Sequence, residues 1–234
     1  MQVEPQLCEG VWLPGGEVHF REQLQKIARD GHCAMYPVLA AALQFTTKRR
    51  HAVDVGAHVG LWSRWLVGLF DYVDAFEPVQ EHADLFFKNL PPGDNCNLFE
   101  VALGAHDGKV GMTHCRWDTG RAHVCDGNET SMRTLDSFEF DDVDLIKIDV
   151  EGYELAVVVG GTQTLKRNKP IVVIEQRGCE ITNFGECESG QALAYLESIG
   201  MRRLMKIGHD WIMGWHEIKP SSRVVIDEPI LDWP

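Results

Sequence analysis

Five short apolar runs alternate with helical segments through the middle of the chain, and this alternation constrains the fold more than any other feature. Each run ends in a turn signal and is followed by apolar residues at helical spacing. The runs are HAVDVG, YVDAFEP, NLFEVALG, DLIKIDV and KPIVVIEQ, all between residues 51 and 176. Strands that alternate with helices form a mostly parallel sheet. The sequence therefore predicts an α/β fold.

The two ends of the chain carry different patterns. Apolar residues recur at helical spacing over residues 20–27 and again over residues 38–43, which predicts two helices before the first strand. Near the end, RRLMKIG and DWIMGWHEI are separated only by a tight connection. This spacing predicts an antiparallel pair of strands rather than another crossover.

Two local signals lie inside the βαβα region. Asp107-Gly108 between short runs is typical of a hairpin turn. Glu154 and the pair Lys166-Arg167 suit the first and last turns of one helix, because acidic and basic side chains complement opposite ends of the helix dipole.

The charge of the chain excludes several partners. Lys and Arg number 22 against 35 Asp and Glu, and the formal net charge is −13. Such a field repels phosphate backbones and anionic lipid surfaces. We therefore expect neither a nucleic-acid partner nor a membrane partner.

The cysteines indicate a reduced setting. They are odd in number and never spaced as CxxC, which argues against a disulfide framework and against a structural zinc site. The seven are Cys8, Cys33, Cys96, Cys115, Cys125, Cys179 and Cys187. The start MQVEPQLCEG lacks the pattern of a secretory signal, and no apolar run reaches membrane-spanning length. We expect a cytoplasmic protein.

A glycine turn links the first predicted strand to a helix in the segment VDVGAHVGLWSRWL. Asp54 and Gly56 lie at the strand end, and Gly60 lies at the helix start. Glycines let the backbone approach a ligand closely, and the free N–H groups of a helix start favour an anionic group. His58 stands where the dinucleotide fingerprint GxGxxG needs glycine, so a nicotinamide cofactor fits poorly.

The carboxylate of Asp54 narrows the choice of ligand. It opposes a pyrophosphate, but it suits the ammonium of a zwitterionic amino acid that carries its own carboxylate. S-adenosylmethionine has such a head group and adds a positively charged sulfonium. The alternative is a plain strand-to-helix turn in which Asp54 caps the helix.

The second strand ends in Phe76-Glu77-Pro78. A carboxylate at that end, roughly 20 residues after a glycine loop, is where such folds hydrogen-bond the hydroxyls of a ribose. Glu77 as a helix N-cap is the competing interpretation, although glutamate caps helices poorly.

Four segments occur in the order seen in FkbM-type methyltransferases, and the chain resembles that family over about residues 51 to 176. They are DVGAHVG, FEP, VALGAHDG and LIKIDVEGYELAVVVGG, with TLDSF just upstream of the last. The resemblance implies the class I fold of S-adenosylmethionine-dependent methyltransferases. That fold is a mostly parallel seven-stranded sheet with one antiparallel strand and helices on both faces, here with an N-terminal helical extension.

No linker or internal repeat divides the sequence. We expect a single methyltransferase domain over residues 1–234. Within it, residues 1–50 form the N-terminal helical extension, residues 51–176 the cofactor-binding core, and residues 177–234 the C-terminal helix and the antiparallel strand pair.

The resemblance also implies which residues bind S-adenosylmethionine. The methionine end is assigned to Asp54, Gly56, Ala57, His58 and Gly60, the ribose to Glu77 with Pro78, and the adenine to Ala102 with Leu103. His58 departs from the asparagine that is more usual at its position in the family.

Three carboxylates are the candidates for catalysis: Asp149 at the end of the fourth strand, Glu151 two residues later, and Glu175 at the end of the fifth. Ligands bind at this edge of the sheet, and an acceptor hydroxyl needs a base because it holds its proton tightly. Glu151 acting with Glu154 as a helix cap is an equal alternative. A magnesium ion bound by the carboxylates of Asp149 and Glu175 is a further alternative, but no close acidic cluster in the sequence indicates a metal site.

The resemblance implies a methyltransferase that acts on a hydroxyl of a sugar or secondary metabolite. An N-methyltransferase and a cofactor-binding module without turnover are the alternatives. His209 on the final turn is a weaker candidate base. Trp117, Trp211 and Trp215 suit stacking on a sugar, or else contacts in the core or in a homodimer.

Overall fold

The computed structural model describes residues 3–30, 35–90, 93, 95–176 and 190–215. Its strands are β1 (Gln6–Cys8), β2 (Val11–Leu13), β3 (His51–Val55), β4 (Tyr72–Phe76), β5 (Cys96–Phe99), β6 (Ala102–Leu103), β7 (Gly108–Met112), β8 (Val124–Arg133), β9 (Val143–Ile148), β10 (Ile171–Glu175), β11 (Met201–Ile207) and β12 (Asp210–Trp215). Its helices are α1 (His19–Asp30), α2 (Met35–Phe45), α3 (Leu61–Leu66), α4 (Gln80–Asn89), α5 (Glu154–Gly160), α6 (Thr162–Asn168) and α7 (Gln191–Ser198).

The central sheet of the described residues has seven strands in the order β11-β12-β10-β9-β3-β4-β5. β12 runs antiparallel to both of its neighbours, and the pairs among β10, β9, β3, β4 and β5 are parallel. The predicted class I fold with one antiparallel strand and a final antiparallel pair is confirmed. The chain builds outward from β3 to β5 and then returns to β9, so the strand order reverses between β3 and β9. Open α/β sheets bind ligands at the carboxyl ends of strands at such a point.

Helices cover both faces of this sheet. Residues that alternate along β3 point to opposite faces, so Val53 and Ala52 lie in two different apolar clusters. The cluster of Val53 includes side chains from α5, α6 and α7, whereas the cluster of Ala52 includes side chains from α2 and α3. All five residues of β3 are buried, as expected for a parallel strand covered on both sides.

The turn predicted at Asp107-Gly108 does not join a hairpin, so that prediction was wrong. β6 and β7 are separated by β8 in a second sheet of order β6-β8-β7, in which β8 is parallel to β6 and antiparallel to β7. The carboxylate of Asp107 accepts a hydrogen bond from the N–H of Thr134, 2.8 Å away. Asp107 therefore stabilises the end of β8 through this hydrogen bond and is not part of a hairpin turn.

The single helix predicted from Glu154 to Arg167 is instead two helices, α5 and α6. Gly160 and Gly161 lie at the break, and a Cβ at Gly160 would lie 2.0 Å from the carbonyl oxygen of Gly104. The hydroxyl of Thr162 donates to the carbonyl of Val159 at 2.7 Å and so satisfies the end of α5. Gly160 thus packs closely against Gly104, which leaves no room for a side chain at the end of α5.

The N-terminal extension contains the two predicted helices, α1 and α2, and also a hairpin of β1 and β2 that the sequence did not predict. Every helix in the described part of the chain is too short or too polar to cross a bilayer. Four cysteines in that part are free thiols, namely Cys8, Cys96, Cys115 and Cys125. Cys33, Cys179, Cys187 and the final residues of DWIMGWHEI lie outside the described residues.

Candidate active site

The glycine loop between β3 and α3 packs directly on the end of β9. Gly56 has φ +77°, and a Cβ there would lie 1.8 Å from the carbonyl oxygen of Asp149. Only glycine permits this approach together with this backbone conformation. The N–H groups of Gly56 and Ala57 both donate to the carbonyl of Phe76 at 3.0 Å. The loop is thus held between the carboxyl ends of β4 and β9.

Asp54 lies beneath this loop and is fully buried. One carboxylate oxygen accepts a hydrogen bond from the hydroxyl of Ser63 at 2.6 Å, and the other lies 3.4 Å from the ammonium of Lys147. The predicted role of Asp54 was to face a ligand ammonium. The structure gives it the ammonium of Lys147 instead.

Lys147 is a site residue that the sequence reasoning missed. It is buried in β9, and its ammonium donates to the carbonyl of Gly56 at 2.8 Å and lies 3.7 Å from the carboxylate of Asp149. Burial lowers the pKa of Lys147, but the attraction of Asp54, Asp149 and Glu175 outweighs burial, so the pKa lies above the ordinary value. The signal was present, because a lysine within the apolar run DLIKIDV is costly to bury without acidic partners.

Glu77 lies at the end of β4 and is 5% exposed. One oxygen accepts the N–H of His58 at 2.8 Å, and the other accepts the N–H of Val79 at 2.8 Å and lies 3.2 Å from Nδ1 of His82. A carboxylate offers about four lone-pair sites, so these three contacts leave acceptor capacity for a ligand hydroxyl. Val79 precedes α4, so Glu77 also steadies the start of that helix.

A narrow pocket of about 50 Å³ opens between the ends of β3, β4 and β9. Six of the nine predicted cofactor-binding residues line it, namely Gly56, His58, Glu77, Pro78, Ala102 and Leu103. Ala57 lines a larger neighbouring cleft, whereas Asp54 and Gly60 line neither. The larger cleft has a volume of about 580 Å³.

The three candidate catalytic carboxylates all line the larger cleft. One oxygen each of Asp149, Glu151 and Glu175 lies within 4.8 Å of the others, so the tertiary structure forms the acidic cluster that the sequence did not show. Glu175 is buried, whereas the side chain of Asp149 is 36% exposed. Gly56, His58, Gly120, Asp149 and Glu151 line both the narrow pocket and the cleft.

Glu151 and Glu154, in and after the turn that follows β9, have different surroundings. Glu154 is buried, and one of its carboxylate oxygens accepts the N–H groups of Val150 at 3.3 Å and Gly152 at 3.0 Å. Burial, the largest cause, raises the pKa of Glu154. Glu151 adopts the left-handed backbone conformation with φ +54° and lies in the wall of the cleft.

Residues of the N-terminal extension complete the site, which the sequence did not predict. The ring of Phe20 stacks on His58 with centroids 4.8 Å apart. The buried carboxylate of Glu17 accepts the N–H of Phe20 at 2.8 Å and the N–H of Thr119 at 2.5 Å. Thr119 in turn contacts Nε2 of His58 through its hydroxyl at 2.8 Å. These contacts of Thr119 hold the short helix Thr119–Arg121 beside both pockets.

Of the other residues considered from the sequence, His209 lies at the cleft and the three tryptophans do not. His209 lines the cleft, as does Trp62. Of the three tryptophans considered for stacking, Trp211 lies under the charged groups of Arg203 and Lys206, and Trp117 is 60% exposed. Trp215 packs against the core. None of these three lines either pocket.

His58 is held as a neutral imidazole. Burial lowers its pKa well below the ordinary value of 6.5, and the electrostatic effect of the neighbouring His82 and Lys147 lowers it further. The unfolded chain therefore binds more protons than the folded chain below about pH 6.5. The contribution of His58 to stability is complete above that value and is lost as the pH falls through it towards the folded pKa.

Substitution of His58 by asparagine should therefore flatten the pH dependence of stability. Between pH 6.5 and 5 the free energy of unfolding of the wild type should fall by up to about 1.4 kcal/mol per pH unit more steeply than that of His58→Asn. Urea unfolding across that range measures the difference. His106→Asn, at an exposed histidine, is the control and should keep the wild-type slope. Equal slopes for His58→Asn and the wild type would show that His58 is not held neutral.

Comparisons with known proteins give one family match and several solved structures of low sequence identity. A family model described as the methyltransferase FkbM domain matches residues 54–202. A search of curated proteins returns no match. Among solved structures, an FkbM methyltransferase from Methylobacillus flagellatus is 17% identical, with a TM-score of 0.46, over 71% of this chain and 44% of that chain. The chain thus spans less than half the length of that protein.

Two other solved structures match this chain with similarly low sequence identities and TM-scores. An S-adenosylmethionine-dependent methyltransferase from Aquifex aeolicus is 14% identical over 81% of this chain and 96% of that chain, with a TM-score of 0.45. Magnesium protoporphyrin IX methyltransferase from Synechocystis, solved with bound S-adenosylmethionine, is 11% identical over 85% of this chain and 84% of that chain, with a TM-score of 0.48. The family match covers more than half of the chain: the protein belongs to the FkbM methyltransferase family.

Proposed function

We propose that this protein is an S-adenosylmethionine-dependent methyltransferase that methylates a hydroxyl group of a sugar or small metabolite, with Asp149 as the base. One observation carries the proposal. Asp149 lies in the wall shared by the narrow pocket, which contains most of the predicted cofactor residues, and the larger cleft beside it. A base must be within reach of the acceptor where it meets the methyl donor, and this shared wall is such a place.

The residues around the narrow pocket fit the cofactor. Glu77 offers a carboxylate for ribose hydroxyls, and Ala102 and Leu103 offer an apolar wall for the adenine. Nδ1 of His58 is a buried nitrogen without a hydrogen-bond partner, and buried polar atoms of this kind are rare in folded proteins. A ligand hydrogen bond to that nitrogen would satisfy it. In this proposal Asp54 supports the loop from beneath through Ser63 and Lys147.

The chemistry requires alignment and a proton acceptor. S-adenosylmethionine, when bound, supplies a methyl group on a sulfonium whose leaving group is a neutral thioether. The protein must align the acceptor oxygen with that methyl in a pocket that excludes water. Asp149 accepts the hydroxyl proton as the new bond forms, and a positioned base contributes about 10²–10⁴-fold to such a rate. Glu151 and Glu175 are the next candidates for this role.

The larger cleft suits a hydroxylated acceptor. Phe20 offers an aromatic surface on which the apolar face of a sugar ring packs. The carboxylates of Asp149, Glu151 and Glu175 accept hydrogen bonds from hydroxyl groups. The same negative charges repel a phosphate, so an unphosphorylated acceptor is expected.

Methylation of an amine is the second candidate. The specific observation in its favour is the excess of acidic side chains in the cleft, since a protonated amine would be attracted to them. An amine must then lose a proton before it can attack, and the same carboxylates serve that step. Analysis of the methylated atom by NMR separates the two reactions.

The proposed function predicts tight binding of the product S-adenosylhomocysteine and no binding of NAD. Calorimetry should give a saturable isotherm with S-adenosylhomocysteine and no heat with NAD. Transfer of a labelled methyl group should then be found in a panel of unphosphorylated sugars and small alcohols. Absence of S-adenosylhomocysteine binding up to millimolar concentrations would refute the function. Binding without transfer across the panel would instead indicate a cofactor-binding module.

A further inference from the structure

We infer that Lys147 is a positioning residue that holds the glycine loop and Asp149 at a set distance from each other. The inference rests on the proposed function, because it concerns the same cofactor pocket and the same candidate base. Lys147 itself has no assigned part in the chemistry proposed above.

The ammonium of Lys147 is surrounded by acceptors from two neighbouring strand ends. An ammonium has three N–H donors and no acceptor. Its nitrogen lies 2.8 Å from the carbonyl oxygen of Gly56, 3.4 Å from Oδ1 of Asp54 and 3.7 Å from Oδ2 of Asp149. The contact with Gly56 is a hydrogen bond and those with the two carboxylates are at ion-pair distance, so Lys147 connects the loop after β3 with the end of β9.

This connection lies where the two pockets share a wall. Gly56 and Asp149 line both the narrow pocket and the larger cleft. The backbones of the two segments already touch, since the N–H of Asp149 donates to the carbonyl of Val55 at 3.1 Å. Lys147 adds a side-chain tie between the loop carbonyl and the carboxylate. A shift of about 1 Å at a reacting group costs as much as 10²-fold in rate, so such a tie affects turnover.

A purely structural role for Lys147 makes a different prediction. The pair of Lys147 and Asp54 is buried, and loss of one member leaves an uncompensated buried charge. If charge balance were its whole role, removal of both charges would restore stability and binding together. If Lys147 positions the loop, removal of both charges would restore stability alone.

The experiment compares Lys147→Met with the double variant Lys147→Met/Asp54→Asn. Methionine keeps the length of the side chain without its charge, and asparagine keeps an acceptor for Ser63. In Lys147→Met we expect a melting temperature lower by about 6–12 °C and S-adenosylhomocysteine affinity lower by about tenfold. In the double variant the melting temperature should recover most of its loss, while the affinity for S-adenosylhomocysteine should remain about tenfold lower than that of the wild type. Lys166→Met, at an exposed lysine, should match the wild type in both measurements.

Two outcomes would overturn the inference: unchanged affinity in a folded Lys147→Met, or affinity that returns with stability in the double variant. If Lys147→Met alone does not fold, the double variant carries the test. Both measurements need only S-adenosylhomocysteine, so they do not depend on whether an acceptor is methylated. With an acceptor in hand, kcat of the double variant should fall while the acceptor KM changes little, a split that loss of stability alone would not produce.

Discussion

Asp149→Asn is expected to lower turnover by about 10²–10⁴-fold while S-adenosylhomocysteine affinity stays within a few fold of the wild type. An amide has the shape of the carboxylate and keeps one acceptor oxygen, so the contact with Lys147 and the walls of both pockets are preserved. It cannot take the proton of the acceptor hydroxyl. The loss should therefore appear in kcat, measured with a saturating cofactor, and much less in binding.

The control for this experiment is Asp126→Asn, a matched change at an exposed aspartate on β8, which should leave turnover unchanged. A fall of less than tenfold in Asp149→Asn would show that Asp149 is not the base. The same substitution test then passes to Glu151→Gln and Glu175→Gln. If none of the three lowers turnover but a chelator abolishes it, a metal on the acidic cluster carries the reaction. If neither the substitutions nor the chelator lowers turnover, alignment of the acceptor with the methyl group alone accounts for the reaction.

Glu77→Ala is expected to weaken S-adenosylhomocysteine binding by about ten- to hundredfold, because a hydrogen bond to a charged group contributes about 1.5–3 kcal/mol. Glu77 also holds the N–H groups of His58 and Val79, so the change releases the glycine loop as well. Glu77→Gln keeps one acceptor oxygen, so it retains one of these two backbone contacts and should weaken binding less than Glu77→Ala. Calorimetry gives the affinities, and urea unfolding reports any loss of stability. Glu81→Ala, at an exposed glutamate at the start of α4, is the control.

The ribose contact itself is tested with an S-adenosylhomocysteine analogue that lacks the 2′-hydroxyl. The wild type should bind the analogue more weakly than S-adenosylhomocysteine, and Glu77→Gln should lose most of this preference. Such a cycle isolates the pairwise interaction from the effect of either change alone. A full preference retained by Glu77→Gln would mean that Glu77 supports the loop and does not contact the ribose.

The elements of the central sheet were predicted from the sequence because their signals are local. The strands β3, β4, β9 and β10 are apolar runs bounded by turn residues, and each is followed by a helix with its own apolar spacing. The prediction was wrong for NLFEVALG, which divides into β5 and β6 in two different sheets and is followed by β7 and β8 instead of a helix. The antiparallel pair β11 and β12 was predicted in the same way, from the short connection at Gly208 and His209. The hairpin of β1 and β2 was missed because its strands are only three residues long. The close contact of Gly160, at the end of α5, with Gly104 was missed because Gly104 is far away in sequence.

The sequence by itself determined most strands of the central sheet, the glycine loop, and the carboxylates at the strand ends, because periodicity and residue type act over a few neighbouring positions. Only the tertiary structure decided which charged groups meet. Lys147 reaches Gly56 across 91 residues, and Glu17 reaches Thr119 across 102. Pairings at such separations depend on the register of strands and on packing, which no local pattern records. For the same reason Asp54 faces Lys147 and lines neither pocket, and Phe20 from the N-terminal extension stacks on His58.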